Sequence, residues 1–340
     1  KSTCAEHRWN RAAPAKVVRS GWRGHCVARN TDQARYRAIN LALLGLMAAI
    51  TFGALVLLPA LLLPRDPRWG WLLVPVALVT NGFWALHHEA IHGGFHADRR
   101  LNQAAGRLMA VLLGSSFAVL RFGHLMHHRY NRNPIDRPDS YDPAKQSRLQ
   151  AKLAFLFNLT CGLYLIEVAV PLACLLPRRL IRRIVDRVYR GDHPALRAIH
   201  QSAERLFLDP RRLATIRTDA VLATGLIVVA IWLYGPHWPM LAGFLLARGV
   251  LISVFDNVYH FATPVDRPDY ARNLWLPAPF RLLVLNMNLH RVHHLRPALP
   301  WWALPGELRV TGDGFDAKLF PAALAQFAGP VPVDGLISRP

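Results

Sequence analysis

Hydrophobic positions in this chain come in long blocks rather than in alternation, and the polar positions gather between the blocks. Asn40 to Leu63 (NLALLGLMAAITFGALVLLPALLL) is uncharged throughout. A helix of that length extends about 35 Å, enough for a bilayer hydrocarbon core of about 30 Å. The short turn PRDPRWG at 64–70 leads into a second apolar run, Trp71 to Leu86. The two runs predict a helical hairpin whose outer ends face the same side. Leu108 to Leu120 is too short to span comfortably and reads as an interfacial or protein-buried segment. Leu153 to Leu176 is long and apolar again, but carries Asn158, Gly162, Glu167 and Pro171. Ala220 to Tyr234 and Met240 to Phe255, joined by GPHWP, predict a second hairpin.

Charge decides the topology. Arg19, Arg23, Arg29, Arg35 and Arg37 precede the first span, which puts the outer ends of the hairpins in the cytoplasm. Residues 177–218 form a basic amphipathic stretch that includes Arg178, Arg179, Arg182, Arg183 and Arg187. A single crossing by 153–176 would place that stretch outside, against the positive-inside tendency; a segment that dips in and returns keeps it inside. The expected fold is therefore all-α: a multi-pass transmembrane helical domain of about four spans plus interfacial or re-entrant helices. Its expected limits are a basic N-terminal arm at 1–36, the membrane domain at 37–310 and a C-terminal tail at 311–340, and its expected home is a bacterial inner membrane.

Composition agrees with the pattern. Apolar residues make up 52% of the 340 and charged residues 18%, against about a quarter charged in soluble domains. The net charge of +20 would also suit a nucleic-acid binder, but that class wants a basic face on a soluble module. Apolar blocks assign the charge instead to loops lying against anionic headgroups, with no nucleic-acid partner. The four cysteines (Cys4, Cys26, Cys161, Cys174) lie far apart with no C-x-x-C, which argues against a disulfide framework or a thiolate metal site.

Histidine carries the candidate chemistry. His87-His88-Glu89-Ala90-Ile91-His92 follows the second apolar run, His124-Leu125-Met126-His127-His128 lies in the polar stretch, and His290-Arg291-Val292-His293-His294 follows the last run. A further His260 stands just past the second hairpin. On a helix, positions i, i+3 and i+4 share a face, so each H-x-x-H-H points three imidazoles one way. With 16 His in the chain, the pattern should arise by accident at about one start in ten thousand. It occurs twice. Neutral imidazole nitrogens suit Fe, Zn, Cu and Ni, and eight or nine of them exceed the four ligands a structural zinc takes, so the count fits a pair of ions. His87 is rotated by about 100° from His88, and Gly93-Gly94 separates His96 from the helix, so neither is expected to join.

The box His88-Glu89-Ala90-Ile91-His92-Gly93, the box His124 to His128 followed by Arg129-Tyr130-Asn131, and the box His290 to His294 followed by Pro297-Ala298-Leu299-Pro300-Trp301-Trp302 resemble the three histidine boxes of the membrane fatty acid desaturase superfamily. That superfamily includes acyl-lipid and acyl-CoA desaturases, alkane hydroxylases, and carotenoid ketolases and hydroxylases. The resemblance runs from about residue 40 to 305. It implies a non-haem di-iron centre on the cytoplasmic side, two Fe with O₂ as co-substrate, and a lipid or acyl substrate. By the same resemblance, nine ligands are carried over: His88, His92, His124, His127, His128, His260, His290, His293 and His294. No H-P-G-G cytochrome b5 signature is present, so electrons are expected from a separate donor of ferredoxin, cytochrome b5 or flavoprotein type.

Metal-bound His usually donates its other N–H to a carboxylate or carbonyl. Glu89, Asp136, Asp139, Asp256 and Asn257 are the candidates for that support, with salt bridges to the many Arg the competing role for the acids. Trp71, Trp84, Trp275, Trp301 and Trp302 are expected as an interfacial aromatic belt. The leading functional expectation is a fatty-acyl desaturase. A carotenoid ketolase or hydroxylase, or an alkane or lipid hydroxylase, stays open. A non-catalytic metal-handling membrane protein would place ionisable residues at mid-bilayer, whereas these histidines lie at span ends.

Overall fold

Each apolar block becomes helix, and the positions of the caps decide where each block breaks. The computed structural model describes residues 30–267 and 270–337 and is 71% helical. Helix α1 (Asn30–Phe52) continues without interruption into a π-helical stretch, Gly53–Leu62. Most of the expected basic arm, with Cys4 and Cys26, lies outside the described residues, and its last part from Asn30 is already helical. The Asp66 carboxylate accepts the backbone N–H of Arg68 and starts a 3₁₀ turn, Pro67–Leu72. The second run then forms α2 (Leu73–Leu78) and α3 (Thr80–His92), with a bend of 41° between them.

The short block at 108–120 is not one segment but the meeting of two helices, α4 (Arg99–Leu113) and α5 (Phe117–Tyr130), at an angle of 97°. Gly114 takes φ +90° there, and Ser115 N–H reaches back to Ala110 O at 2.8 Å. That geometry closes a helix in a left-handed cap, which Gly adopts without strain. Beyond strand β1 (Ser140–Tyr141), a Ser147/Gln150 capping box opens α6 (Arg148–Phe157). A π turn, Asn158–Gly162, links it to α7 (Leu163–Ala173), and the pair is bent by 71°. The arginine-rich stretch forms α8 (Arg178–Val188) and α9 (Pro194–Phe207).

Helices α10 (Pro210–Tyr234) and α11 (Trp238–Asn257) form the second hairpin around Gly235–His237. Tyr234 at the turn donates to Ala54 O at 2.8 Å, while Asp256 at the other end accepts from Trp84 Nε1 at 3.1 Å. The turns of both hairpins thus share one end of the bundle, and the histidine segments share the other. Ala34–Leu62 and Pro210–Asn257 are long and apolar enough to cross a membrane, and three bent pairs (67–92, 99–130, 148–173) pass the same test when each is joined. Leu222, Val228, Trp232, Leu46 and Leu61 stand exposed on these helices, as an apolar outer surface facing lipid requires.

Residues 258–337 close the histidine end. Strand β2 (Leu274–Trp275), α12 (Ala278–Leu283), α13 (His290–Leu295) and α14 (Leu304–Thr311) come first. They are followed by β3 (Ala317–Lys318), α15 (Leu319–Ala325) and β4 (Val331–Pro332). Among the described residues the sheet content is two parallel pairs of two-residue strands, β1 with β4 and β2 with β3. The segment expected as a C-terminal tail contributes to the core. Leu319, Ala322 and Ala323 pack in one core with Val254, Val258 and Phe261.

Candidate metal centre

Helix ends deliver the histidines. Helix α3 stops at His92 because Gly93 takes φ +82°, which leaves His88 and His92 one turn apart on its last face. Helix α5 carries His124, His127 and His128 in its final turns, and α13 opens on His290. His260 sits in the turn after α11, its N–H bonded to Asn257 O at 3.0 Å and its C=O accepting from Thr263 Oγ1 at 2.8 Å.

Four segments distant in sequence bring their rings to one place. His88, His92, His124, His128 and His293 offer nitrogens all within 4.8 Å of one another, and His127, His260, His290 and His294 do the same. All nine residues of the expected set are in these two groups, and His87 and His96 are in neither. Within the first group, Nε2 of His124 lies 2.9 Å from Nε2 of His92 and 2.9 Å from Nε2 of His128, which is 3.1 Å from Nε2 of His293. In the second, Nε2 of His260 lies 3.0 Å from that of His127 and 3.1 Å from that of His290. The groups adjoin, since the His128 and His294 rings stack at 4.2 Å.

Hydrogen bonding among the rings does not account for this. A neutral imidazole has one N–H, and here the same Nε2 atoms converge on several neighbours at once. The rings also leave polar atoms stranded: both nitrogens of His88, Nδ1 of His260 and His290, and Nε2 of His294 are buried with no partner among the described residues. Two nitrogens bound to one ion at about 2.1 Å and at a right angle lie about 3.0 Å apart, which is the spacing seen. The donor set fits metal, one ion per group. Burial, then the neighbouring imidazoles, holds His260, His290, His293 and His294 well below the usual imidazole range, so at neutral pH these rings keep lone pairs free.

The supporting residues divide. Asp136 Oδ2 lies 2.8 Å from His127 Nδ1, the outward nitrogen of that ring. Asp139 instead takes a bidentate bond from buried Arg132 (2.7 and 3.2 Å) and accepts the N–H of Ala262 at 2.8 Å. It ties the segment after His128 to the turn holding His260. Both tied residues have positive φ, Arg132 at 64° and Ala262 at 54°, and left-handed backbone at non-glycine residues persists only where surroundings enforce it. Asp256 is bonded to Trp84, and Asn257 Nδ2 to Gln326 Oε1 at 2.6 Å. Glu89 Oε1 accepts the N–H of Trp301 at 3.0 Å, joining the first box to the segment after the third.

The aromatic belt needs correction at two places. Trp71 and Trp275 are exposed, but Trp84 and Trp301 are 8% and 6% exposed. Their indole N–H groups are spent on Asp256 and Asn40, and Trp302 stacks on Tyr36 at 4.4 Å. Sequence reasoning also missed Arg291, which pairs with Asp316 at 2.7 Å, and Asn273, whose Oδ1 accepts the N–H of Arg291 at 3.1 Å. Both fasten α13, and no spacing rule marks either.

Similarity to known proteins agrees with this geometry. A sphingolipid delta(4)-desaturase of Drosophila melanogaster is 25% identical over 279 residues, covering 78% of this chain and 74% of that protein. An omega-3 fatty acid desaturase, chloroplastic, of Brassica napus is 24% identical over 258 residues, 69% of this chain and 59% of that protein. A temperature-sensitive sn-2 acyl-lipid omega-3 desaturase (ferredoxin), chloroplastic, of Arabidopsis thaliana is 34% identical over 82 residues, 23% of this chain and 19% of that protein. Residues 67–310, which hold every histidine of both groups, match the family described as fatty acid desaturase. The chain belongs to the fatty acid desaturase family.

Proposed function

We propose that this chain is a membrane-bound, O₂-dependent di-iron oxidoreductase that introduces a double bond into the acyl chain of a lipid. The observation that carries the reading is the division of nine histidines into adjoining groups of five and four. His88, His92, His124, His128 and His293 hold one ion, and His127, His260, His290 and His294 hold the other. Iron bound there supplies the redox chemistry that zinc lacks, enough to use O₂ against an unactivated C–H bond.

The protein's own part is positioning and shielding. Asp136 fixes the tautomer of His127 by accepting its Nδ1–H, as metal-bound imidazoles commonly require. Arg132, Asp139 and the turn at Ala262 hold His260 against the second box. His88, His290 and His293 are 1–2% exposed, which keeps bulk water from the reacting carbon. An apolar cleft of about 390 Å³ between α4, α7, α10 and α11, lined by Leu113, Val168, Ile227 and Leu245 among others, suits an acyl tail.

In this reading α1, the α2–α3 pair, α10 and α11 span the membrane and α6–α7 dips in and returns. The histidine end then faces the cytoplasm of a bacterial inner membrane, with the arginines of α8 and α9 on the same side. Electrons come from a separate carrier of ferredoxin, cytochrome b5 or flavoprotein type; the name of the Arabidopsis relative specifies ferredoxin. The names of the relatives, sphingolipid and acyl-lipid, favour a complex lipid as substrate. The test is mass spectrometry of total lipids from a host expressing the chain with a competent donor. A new double bond, absent in His290→Ala, is expected. A hydroxy or keto product instead, in lipid or carotenoid, would move the chain to the hydroxylase or ketolase branch.

A further inference from the structure

The loop that follows the second histidine box does more than hold His260. A pocket of about 260 Å³, open to solvent, is lined by Arg129, Tyr130, Arg132, Asn133, Arg137 and Val265 among others. Three arginines line one small concavity, and Arg132 already gives both terminal nitrogens to Asp139 and to Thr263 O. The acids of the same loop are already committed: Asp136 to His127, Asp139 to Arg132 and Asp142 to Lys145 at 3.0 Å. Arg129 and Arg137 make no salt bridge with a described residue: Arg129 lies over the Tyr130 ring at 5.4 Å, and Arg137 is near enough to Asp142 to help lower its carboxyl. Arg132 is 1% exposed, and its Nε is buried without a partner among the described residues. A buried guanidinium N–H without an acceptor is costly, and Arg forks suit planar or tetrahedral oxyanions better than any other side chain.

We propose that this pocket binds the phosphate group of the acyl-carrying substrate. The proposal rests on the lipid-desaturase reading above and names the head that the site recognises. Arg129 follows His128 directly, so the pocket lies at the edge of the metal centre, on its solvent side. A phosphate held there would anchor the substrate while its tail lies among the apolar helices. The concavity is too small for a whole lipid, since drug-sized ligands fill pockets of about 300–1,000 Å³, but it has room for a headgroup. Protein partners need broad contact surfaces rather than a single niche, which favours a small oxyanion over an acidic redox partner.

The test is calorimetric titration of the purified full chain in neutral detergent. The probes are a short-chain phosphatidic acid, the matching diacylglycerol, an acyl-CoA and inorganic phosphate. Phosphatidic acid or acyl-CoA is expected to bind more tightly than diacylglycerol. The double variant Arg129→Gln/Arg137→Gln is expected to weaken that binding by about tenfold or more, with diacylglycerol affinity, metal content and elution volume unchanged. Preference for phosphatidic acid assigns the phosphate to a lipid headgroup, and preference for acyl-CoA to a soluble carrier. Equal binding of phosphatidic acid and diacylglycerol overturns the proposal, and so does a double variant that binds both as wild type does. It is also overturned if the variant loses only salt-sensitive binding of an acidic electron donor. Lipid desaturation by the wild-type chain is measured separately, so a failed pocket and a failed enzyme assignment are told apart.

Discussion

At the scale of the residue, the two histidine groups make separable predictions. His88→Ala removes an imidazole only from the group of five, and His290→Ala only from the group of four. Each variant is expected to lose about half of the bound metal, read by elemental analysis of purified protein, and both are expected to lose turnover. Asp136→Asn should keep the fold yet weaken metal binding by about 10–100-fold, because an amide oxygen can still accept from His127 but lacks the negative charge that raises the basicity of the imidazole. Acid provides a further check. His260, His290, His293 and His294 are held below the ordinary imidazole range, so the unfolded chain binds protons that the metal-free native state refuses. Stability of the metal-stripped protein should therefore fall as pH drops below about 6.5, seen as a declining Tm between pH 7 and 5. The clustering of the three boxes was legible because helical periodicity makes i, i+3 and i+4 share a face, while His260 entered the expected set only through the family resemblance. The partners of Asp139, Asp256 and Asn257 were not, because pairing across the fold leaves no trace in spacing.

At the scale of the element, hydropathy located the helices but not their ends. The block at 108–120 looks continuous in sequence, and only the left-handed Gly114 turns it through 97°. That turn matters to the site: it swings α5 so that His124, His127 and His128 meet α3. Close packing of helices is equally hidden. A Cβ on Gly82 would stand 2.5 Å from the backbone oxygen of Leu283, so α3 and the end of α12 approach main chain to main chain. Gly82→Ala is expected to force them apart and to cost about 1–3 kcal/mol, measured as a lowered Tm with reduced metal retention. Unchanged Tm and metal content would show that α3 tolerates displacement and that its approach to α12 does not set the site.

At the scale of the whole molecule, the C-terminal segment has contacts that its sequence does not announce. Residues 311–340 are expected from the sequence only as a C-terminal tail. Their role appears only in three dimensions. Asp316 grips Arg291 beside the third box, and Gln326 bridges Asn257 and Val254 O at the end of α11 (2.6 and 2.9 Å). β4 also pairs with β1 in the loop after the second box. One segment thus braces three of the four histidine-bearing regions. A chain ending after Thr311 is expected to remain in the membrane and to lose most of its metal, whereas a dispensable tail would leave metal content intact.

The most direct test of the account is metal analysis joined to Mössbauer spectroscopy on the full chain purified after growth with ⁵⁷Fe. The expected result is about two high-spin, non-haem irons per chain, falling by about half in His88→Ala and again in His290→Ala. A single zinc per chain, or iron content unaltered by either substitution, would contradict the claim that these nine histidines form a di-iron centre.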